Sequence, residues 1–302
     1  MDTKLLILGG GGMLGHKALH YLSSEFDTWA TFRKFDDRFK SLKFIDKSKI
    51  IDNVNAFSFE SIEKAIQLVK PDVVLNCIGI IKQLKEYSDP KISIYINSYM
   101  PHLLAEYCVR NHIKFIHIST DCVFNGVDGN YREESISNAD DLYGRSKYLG
   151  EVSDGSTLTL RTSIIGHELL SSFSLVDWFI NNSSPDIEGY KNAIYTGFPT
   201  CIFINEIFKL IKYFPKLSGL YHVASDPITK YDLLCKINKI YCLNKTLLPN
   251  DKFICNRSMH YSKYKIATNF KPLPWEEMIT RMYEDYIETN YNLMEGRYEI
   301  KR

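Results

Sequence analysis

Four consecutive glycines, Gly9 to Gly12, and a fifth at Gly15 stand between two apolar segments of different period. The segment before them, Leu5-Leu6-Ile7-Leu8, has the length of a buried strand. The segment after them places Leu14, Ala18, Leu19 and Leu22 at helical spacing. Glycines at 9, 12 and 15 thus form a G-x-x-G-x-x-G turn from strand to helix. A side chain there would keep the backbone away from a pyrophosphate. The helix N-terminus then offers free N–H groups and partial positive charge to phosphates. An isolated glycine cluster is merely a flexible turn; the strand before and the helix after make this one a nucleotide-binding turn. Gly9, Gly12, Met13, Leu14 and Gly15 are the candidate contacts.

The next 150 residues alternate in the same way. Asp72–Cys77 reads as a buried strand entered through Pro71, and Pro90 opens a long helix running towards Asn111. Ile113–Ser119 is a strand, residues 141–153 a helix and Ser156–Thr162 a strand. Strands separated by helices imply an α/β fold, a Rossmann-type doubly wound parallel sheet. After Gly166 the pattern loosens. Helices are expected over Ser171–Ile180, Ile202–Phe214, Lys230–Tyr241 and Trp275–Tyr291, a strand over Leu220–Ala224, and a loop-rich stretch over Ser183–Thr200. The expected division is 1–165 plus about 195–226 for the nucleotide-binding domain. A smaller, discontinuous C-terminal domain, about 166–194 plus 227–302, would bind substrate.

The 302 residues carry a net charge of +1, which gives no bias towards nucleic acid or membrane. No apolar run approaches the ~18 residues of a membrane span, and the N-terminus lacks a signal-peptide pattern. The seven cysteines form no C-x-x-C, and no metal-ligand set is apparent. Reduced thiols in the cytoplasm are the expectation.

The second strand, Thr28–Lys34, ends in Arg33 and Lys34, where NAD-binding folds usually place an acid for the ribose 2′-hydroxyl. The first acids, Asp36 and Asp37, come later. A cation at Arg33 would pair with the 2′-phosphate of NADPH. NADPH is the expected cofactor, with NADH left open.

Tyr143 and Lys147 lie four residues apart, a spacing that stacks them on one helix face. An ammonium beside a phenol favours the phenolate and lowers the phenol pKa from its usual ~10. In a chain with 20 tyrosines the pair alone says little. Upstream, however, stands Ser119-Thr120-Asp121-Cys122-Val123-Phe124-Asn125-Gly126. This run followed by Tyr143-x-x-x-Lys147 resembles the extended short-chain dehydrogenase/reductases, and most closely the dTDP-4-dehydrorhamnose reductase group. Gly197-Phe198-Pro199-Thr200 resembles that group's Gly-x-Pro-Thr turn, and Gly219-Leu220-Tyr221-His222 its returning strand.

The resemblance implies reduction of a 4-keto sugar carried on a nucleotide. Tyr143 would donate the proton. Lys147 would lower the Tyr143 pKa and hold the nicotinamide ribose. Thr120 would hydrogen-bond the substrate oxygen. Asn97 matches a position that supports the lysine. Asn55 stands near an adenine-contacting position, Cys77 ends the fourth strand, and Ile78 and Gly79 follow it; all four join Asn97 as candidate cofactor contacts. Lys82, Asp121, Trp178 and Arg257 are candidates for substrate contact. A homodimer is left open.

Two departures bear on substrate. Asn256-Arg257-Ser258 lacks the proline of the group's Arg-Pro-x-x-Ser element, and Ile80-Ile81-Lys82-Gln83-Leu84-Lys85 replaces a small, polar segment. Both point to a sugar such as a UDP-linked 2-acetamido-2,6-dideoxy-4-hexulose alongside dTDP-4-dehydrorhamnose. Two alternatives stand beside reduction. An epimerase or 4,6-dehydratase on the same scaffold is one, although dehydratases carry Asp-Glu after the threonine, where this chain has Asp121-Cys122. A non-catalytic NADP-binding regulatory subunit is the other.

Overall fold

The computed structural model describes residues 3–35, 39, 42–82 and 89–289. Asp36, Asp37 and the Gln83-Leu84-Lys85 stretch lie outside them. The chain divides into two compact units. The first comprises the described residues of Met1–Val123, Ala139–Arg161 and Ile204–Tyr221; the second comprises those of Phe124–Asn138, Thr162–Phe203 and His222–Arg302.

The first unit is built on a seven-stranded sheet. Its strands are β1 (Lys4–Leu8), β2 (Asp27–Thr31), β3 (Ile50–Ile51), β4 (Val73–Asn76), β5 (Lys114–Thr120), β6 (Leu158–Thr162) and, much later in the chain, β10 (Gly219–His222). The order across the sheet is β3-β2-β1-β4-β5-β6-β10. The pairs β1–β2, β2–β3, β1–β4 and β4–β5 run parallel. This is the doubly wound α/β arrangement, with its reversal of strand order between β1 and β4. Leu5 to Leu8 are wholly buried, which is why β1 reads as an unbroken apolar run. Helix α1 (Met13–Leu22) buries Leu14, Ala18, Leu19 and Leu22, and α2 (Phe59–Val69) buries Ile62, Ala65, Ile66 and Val69.

The long helix opened by Pro90 is interrupted. It begins as α3 (Pro90–Ile94), capped by Asp89, and passes through a π-helical segment, Tyr95–Tyr99. It then continues as α4 (Met100–Arg110). A π segment shifts the hydrogen-bond ladder by one residue and turns one side chain into a new direction. The chain turns away from β2 at Thr31, three residues before the expected end at Lys34. Phe32 leaves the strand to bond Ile51 O through its N–H and Val54 N through its carbonyl. Arg33 therefore stands exposed beyond the strand.

The second unit contains elements that the sequence pattern does not reveal. Residues 183–200, expected as loop, contain β8 (Asp186–Tyr195) and the short β9 (Phe198–Pro199), which pairs in parallel with β7 (Ile164–Ile165). β8 pairs in parallel with β12 (Thr246–Asn256) and antiparallel with β11 (Ile228–Thr229). Asp186, Gly189 and Asn192 in one strand, and Pro249, Asn250 and Asp251 in the other, are poor strand formers. The pairing is long-range, and a register shift between Asn250 and Ile254 accommodates the mismatch. Helix α6 (Leu175–Asn181) starts later than Ser171 because Glu168 accepts the Phe173 and Ser174 N–H groups and Ser174 caps Asp177 N. Helices α8 (Lys230–Ile240), α9 (Ser262–Thr268) and α10 (Trp275–Glu288) also belong to this unit, whereas α7 (Thr200–Tyr213) lies mostly in the first.

The glycine turn has two kinds of glycine. Gly9 has φ +87°, and a Cβ on Gly15 would land on the Gly9 carbonyl oxygen. Gly12 caps α1 with extended backbone, and a Cβ there would meet nothing nearer than 3.5 Å. Gly15→Ala should therefore cost about 1–3 kcal/mol or more in urea denaturation, by forcing α1 off β1. Gly12→Ala should stay within about 1 kcal/mol of the parent. Equal stabilities for the two variants would refute this division of labour.

Candidate functional site

Helix α5 (Leu142–Leu149) carries Tyr143 and Lys147, and its placement is set by glycines at both ends. A Cβ on Gly144 would collide with the carbonyl oxygen of Cys122 and lie 2.5 Å from Ala139 Cβ. A Cβ on Gly150 would collide with the carbonyl oxygen of Asn97. Bare backbone therefore lets α5 press on the turn after β5 at one end and on the π segment at the other. Asp141 caps the helix, accepting from Gly144 N at 2.9 Å.

That turn carries Thr120 and Asp121, both buried. Cys122 N donates to Thr120 Oγ1 at 3.1 Å, and Thr120 donates to Asp121 Oδ1 at 3.2 Å. The Thr120 hydroxyl also lies close enough to the Tyr143 phenol to favour its ionised form. Thr120 and Tyr143 are thus brought side by side from positions 23 apart in the chain.

The protonation picture differs from the sequence expectation. The Tyr143 phenol is not brought down on balance. Burial pushes its pKa above the ordinary value, Cys122 adds to the rise, and the neighbouring Thr120 hydroxyl opposes it. Lys147 is itself buried, and Nζ donates to the Ile118 carbonyl at 2.7 Å. Desolvation lowers its pKa from 10.5 to about 8, against the opposing pull of Glu151 and Cys77. Burial raises Cys77 to about 12. In both lysine and phenol the loss of solvation outweighs their neighbourhood.

Asn97 lies in the π segment and is 1% exposed. Its amide donates to Ile80 O at 2.9 Å and to Ser146 Oγ at 3.2 Å, while its oxygen accepts from Ile80 N at 2.8 Å. One side chain so ties the segment after β4 to α5. Within that segment Ile78 N donates to Asn76 Oδ1 at 3.1 Å. A Cβ on Gly9 would lie 3.0 Å from Ile78 Cγ1. The glycine turn, residues 77–80, Asn97 and α5 are therefore consecutive contacts along the carboxyl ends of β1, β4 and β5, where open α/β sheets bind ligands. Room at Gly12 and at Gly79, whose nearest Cβ neighbour is Asn97 Oδ1 at 3.5 Å, suits a dinucleotide lying along this path.

The remaining candidates are more dispersed. Asn55 is exposed, and its Oδ1 accepts from Phe57 N at 3.0 Å. Lys82 pairs with Asp141 Oδ2 at 2.6 Å and sits 5.7 Å from the Tyr143 ring centroid. In the second unit, Arg257 Nε donates to Phe124 O at 2.9 Å, and Trp178 is 41% exposed on α6. Among the described residues no group of His, Cys, Asp and Glu is placed to hold a metal ion, and no helix is long and apolar enough to cross a membrane.

Sequence reasoning passed over Glu151. Its carboxylate takes Arg161 Nε on Oε1 and Nη2 on Oε2, both at 2.7 Å, and Ser119 Oγ on Oε1 at 2.6 Å. The available signal was Arg161, a charge in the middle of the otherwise uncharged strand Leu158-Thr159-Leu160-Arg161-Thr162.

Residues 3–182 match the RmlD substrate binding domain family, which covers more than half of the chain. The chain belongs to the RmlD substrate-binding domain family. It is 24% identical over 247 residues to dTDP-4-dehydrorhamnose reductase of Aggregatibacter actinomycetemcomitans, covering 78% of each chain. It is also 23% identical over 254 residues to methionine adenosyltransferase 2 subunit beta of Xenopus tropicalis, covering 77% of this chain and 70% of the other. Its fold matches the crystal structure of Bacillus anthracis dTDP-4-dehydrorhamnose reductase in complex with NADP. There the TM-score is 0.76 at 20% identity, over 94% of this chain and all of that one.

The buried lysine has a measurable consequence. Lys147 titrates near 8 in the folded chain and at 10.5 ordinarily, so its burial penalty is fully present below pH 8 and fades as pH rises to 10.5. Lys147→Met should stabilise the cofactor-free protein at pH 7 by up to roughly 3 kcal/mol. The gain should shrink towards zero at pH 10.5. A pH-independent loss of stability in urea melts would contradict it.

Proposed function

We propose that the chain catalyses NADPH-dependent reduction of the 4-keto group of a nucleotide-linked 4-keto-6-deoxy-hexose. The sugar would be dTDP-4-dehydrorhamnose or a UDP-linked 2-acetamido-2,6-dideoxy-4-hexulose, and the product a precursor of cell-surface polysaccharide. The observation that carries this reading is the placing of Tyr143 and Lys147 on a glycine-clamped helix beside the β5 end that holds Thr120, with that helix joined through Asn97 to the segment beside the glycine turn. Family membership and similarity to a named dTDP-4-dehydrorhamnose reductase support it. The first unit would take the cofactor, through Gly9, Gly12, Met13, Leu14, Gly15, Arg33, Asn55, Cys77, Ile78, Gly79, Asn97, Tyr143 and Lys147.

When bound, the reduced nicotinamide supplies the hydride. Tyr143 supplies the proton to the ketone oxygen. The raised phenol pKa keeps Tyr143 loaded, because reduction consumes the protonated form. Thr120, beside Tyr143, would direct the same oxygen towards the phenol and stabilise charge developing on it. Lys147, an ammonium below about pH 8, would hold the ribose hydroxyls and offset negative charge as the proton leaves. Arg257, Trp178, Lys82 and Asp121 are the proposed sugar-nucleotide contacts. Seven free cysteines suit a reducing cytoplasm.

The test is NADPH oxidation against a panel of dTDP-, UDP- and GDP-linked 4-keto-6-deoxy sugars. Tyr143→Phe should lower turnover by about 10²–10⁴-fold on the accepted sugar and leave NADPH affinity nearly unchanged. Near-parental turnover would remove Tyr143 as donor. Similarity to the methionine adenosyltransferase subunit favours a second reading, a non-catalytic NADP-binding subunit. NADPH binding with no turnover on the whole panel would select it.

Arg33 tests cofactor choice separately. Arg33→Ala should weaken NADPH by about 1.5–3 kcal/mol through loss of the phosphate contact, with NADH little changed. Equal losses measured by fluorescence titration would make Arg33 a bystander.

A further inference from the structure

We propose that Glu151 is a positioning residue for the reductase site: by gripping Ser119 and Arg161 together it fixes the end of β5 that presents Ile118 O and Thr120, and it turns a negative charge towards Lys147. The proposal rests on the reductase reading above.

Glu151 lies just beyond α5, four residues after Lys147, where the chain has already left the helix. Its backbone is held by a bond from Glu151 N to Tyr148 O at 3.1 Å. Its side chain and that of Arg161 are 9% and 3% exposed. The two-point fit of guanidinium to carboxylate fixes the carboxylate's plane. The third bond, from Ser119, attaches that plane to β5 between two residues of the site. Ile118 on one side accepts the Lys147 ammonium, and Thr120 on the other meets Tyr143. One carboxylate so connects β6, the exit of α5 and the catalytic end of β5.

The charge has a second effect. Lys147 is faced by Cys77 from the segment after β4, by His117 from β5 and by Glu151, and it shares its helix face with Tyr143. His102 from α4 faces His117 in turn. At neutral pH Cys77 and Tyr143 hold their protons, because burial raises both. His117 is neutral, because burial and Lys147 lower it. Of the groups facing Lys147, Glu151 thus brings the counter-charge. Without it, burial would strip the ammonium at lower pH.

The experiment uses the full chain with Glu151→Gln/Arg161→Gln, which removes both buried charges together and leaves neither stranded, and Ser119→Ala, which removes only the hydroxyl link. In the double variant the alkaline limb of the kcat/KM profile should move down by roughly one pH unit. Lys147 in the cofactor-free protein, followed by 13Cε lysine NMR and assigned with Lys147→Gln, should titrate lower by a similar amount. Ser119→Ala should lower kcat by roughly three- to tenfold with KM for the sugar nucleotide unchanged. Variants that lose thermal stability but keep the parental pH profile and lysine titration would reduce Glu151 to a structural ion pair and overturn the proposal. A parental protein with no turnover would defeat the reductase reading instead, while the lysine titration would still decide what Glu151 does.

Discussion

Backbone-to-backbone contact at Gly144 and Gly150 is the constraint on which the site depends. Any side chain at these positions would strike the carbonyl of Cys122 or of Asn97. With hydrogen there, α5 lies directly against the turn holding Thr120 and against the π segment holding Asn97. A displacement of one methyl radius would separate Tyr143 from Thr120 and Ser146 from Asn97. The site's geometry is thus fixed by what is missing from two residues as much as by what its polar side chains do.

Burial has a matching electrostatic effect. Lys147, Glu151 and Arg161 are charges taken out of water, each held by defined partners. Cys77 and His117 beside them stay neutral. Desolvation is unfavourable for the resting fold, yet it strengthens every charge interaction that remains. A site built this way trades stability for fixed dipoles, the usual compromise in catalytic folds.

The first unit was readable because its signals are local. Leu5 to Leu8, the glycines at 9, 12 and 15, and the Tyr143–Lys147 spacing each report on neighbours within a few residues. β8 and β12 were not readable, because Gly189, Lys191, Pro249 and Asp251 oppose strand formation and only their long-range pairing overrides them. Asn97 is intermediate. Its residue type fitted a role, but it lies in the π segment, which helical periodicity does not encode. The Tyr143 pKa was misjudged because sequence shows the nearby cation and hides the desolvation. Glu151 was missed because its partners, Ser119 and Arg161, come from two different strands.

The strand order has a consequence for synthesis on the ribosome. β6 ends at Thr162, but β10, its neighbour in the sheet, begins only at Gly219. β8 ends at Tyr195, and β12, its long parallel partner, begins at Thr246. At ordinary elongation rates each gap lasts on the order of seconds. During that time the nascent chain presents two bare strand edges in succession, first β6 and then β8. Edges exposed for longer than a hairpin takes to close are natural binding sites for chaperones and starting points for aggregation. Slow codons within the 163–218 interval would prolong the exposure of the β6 edge.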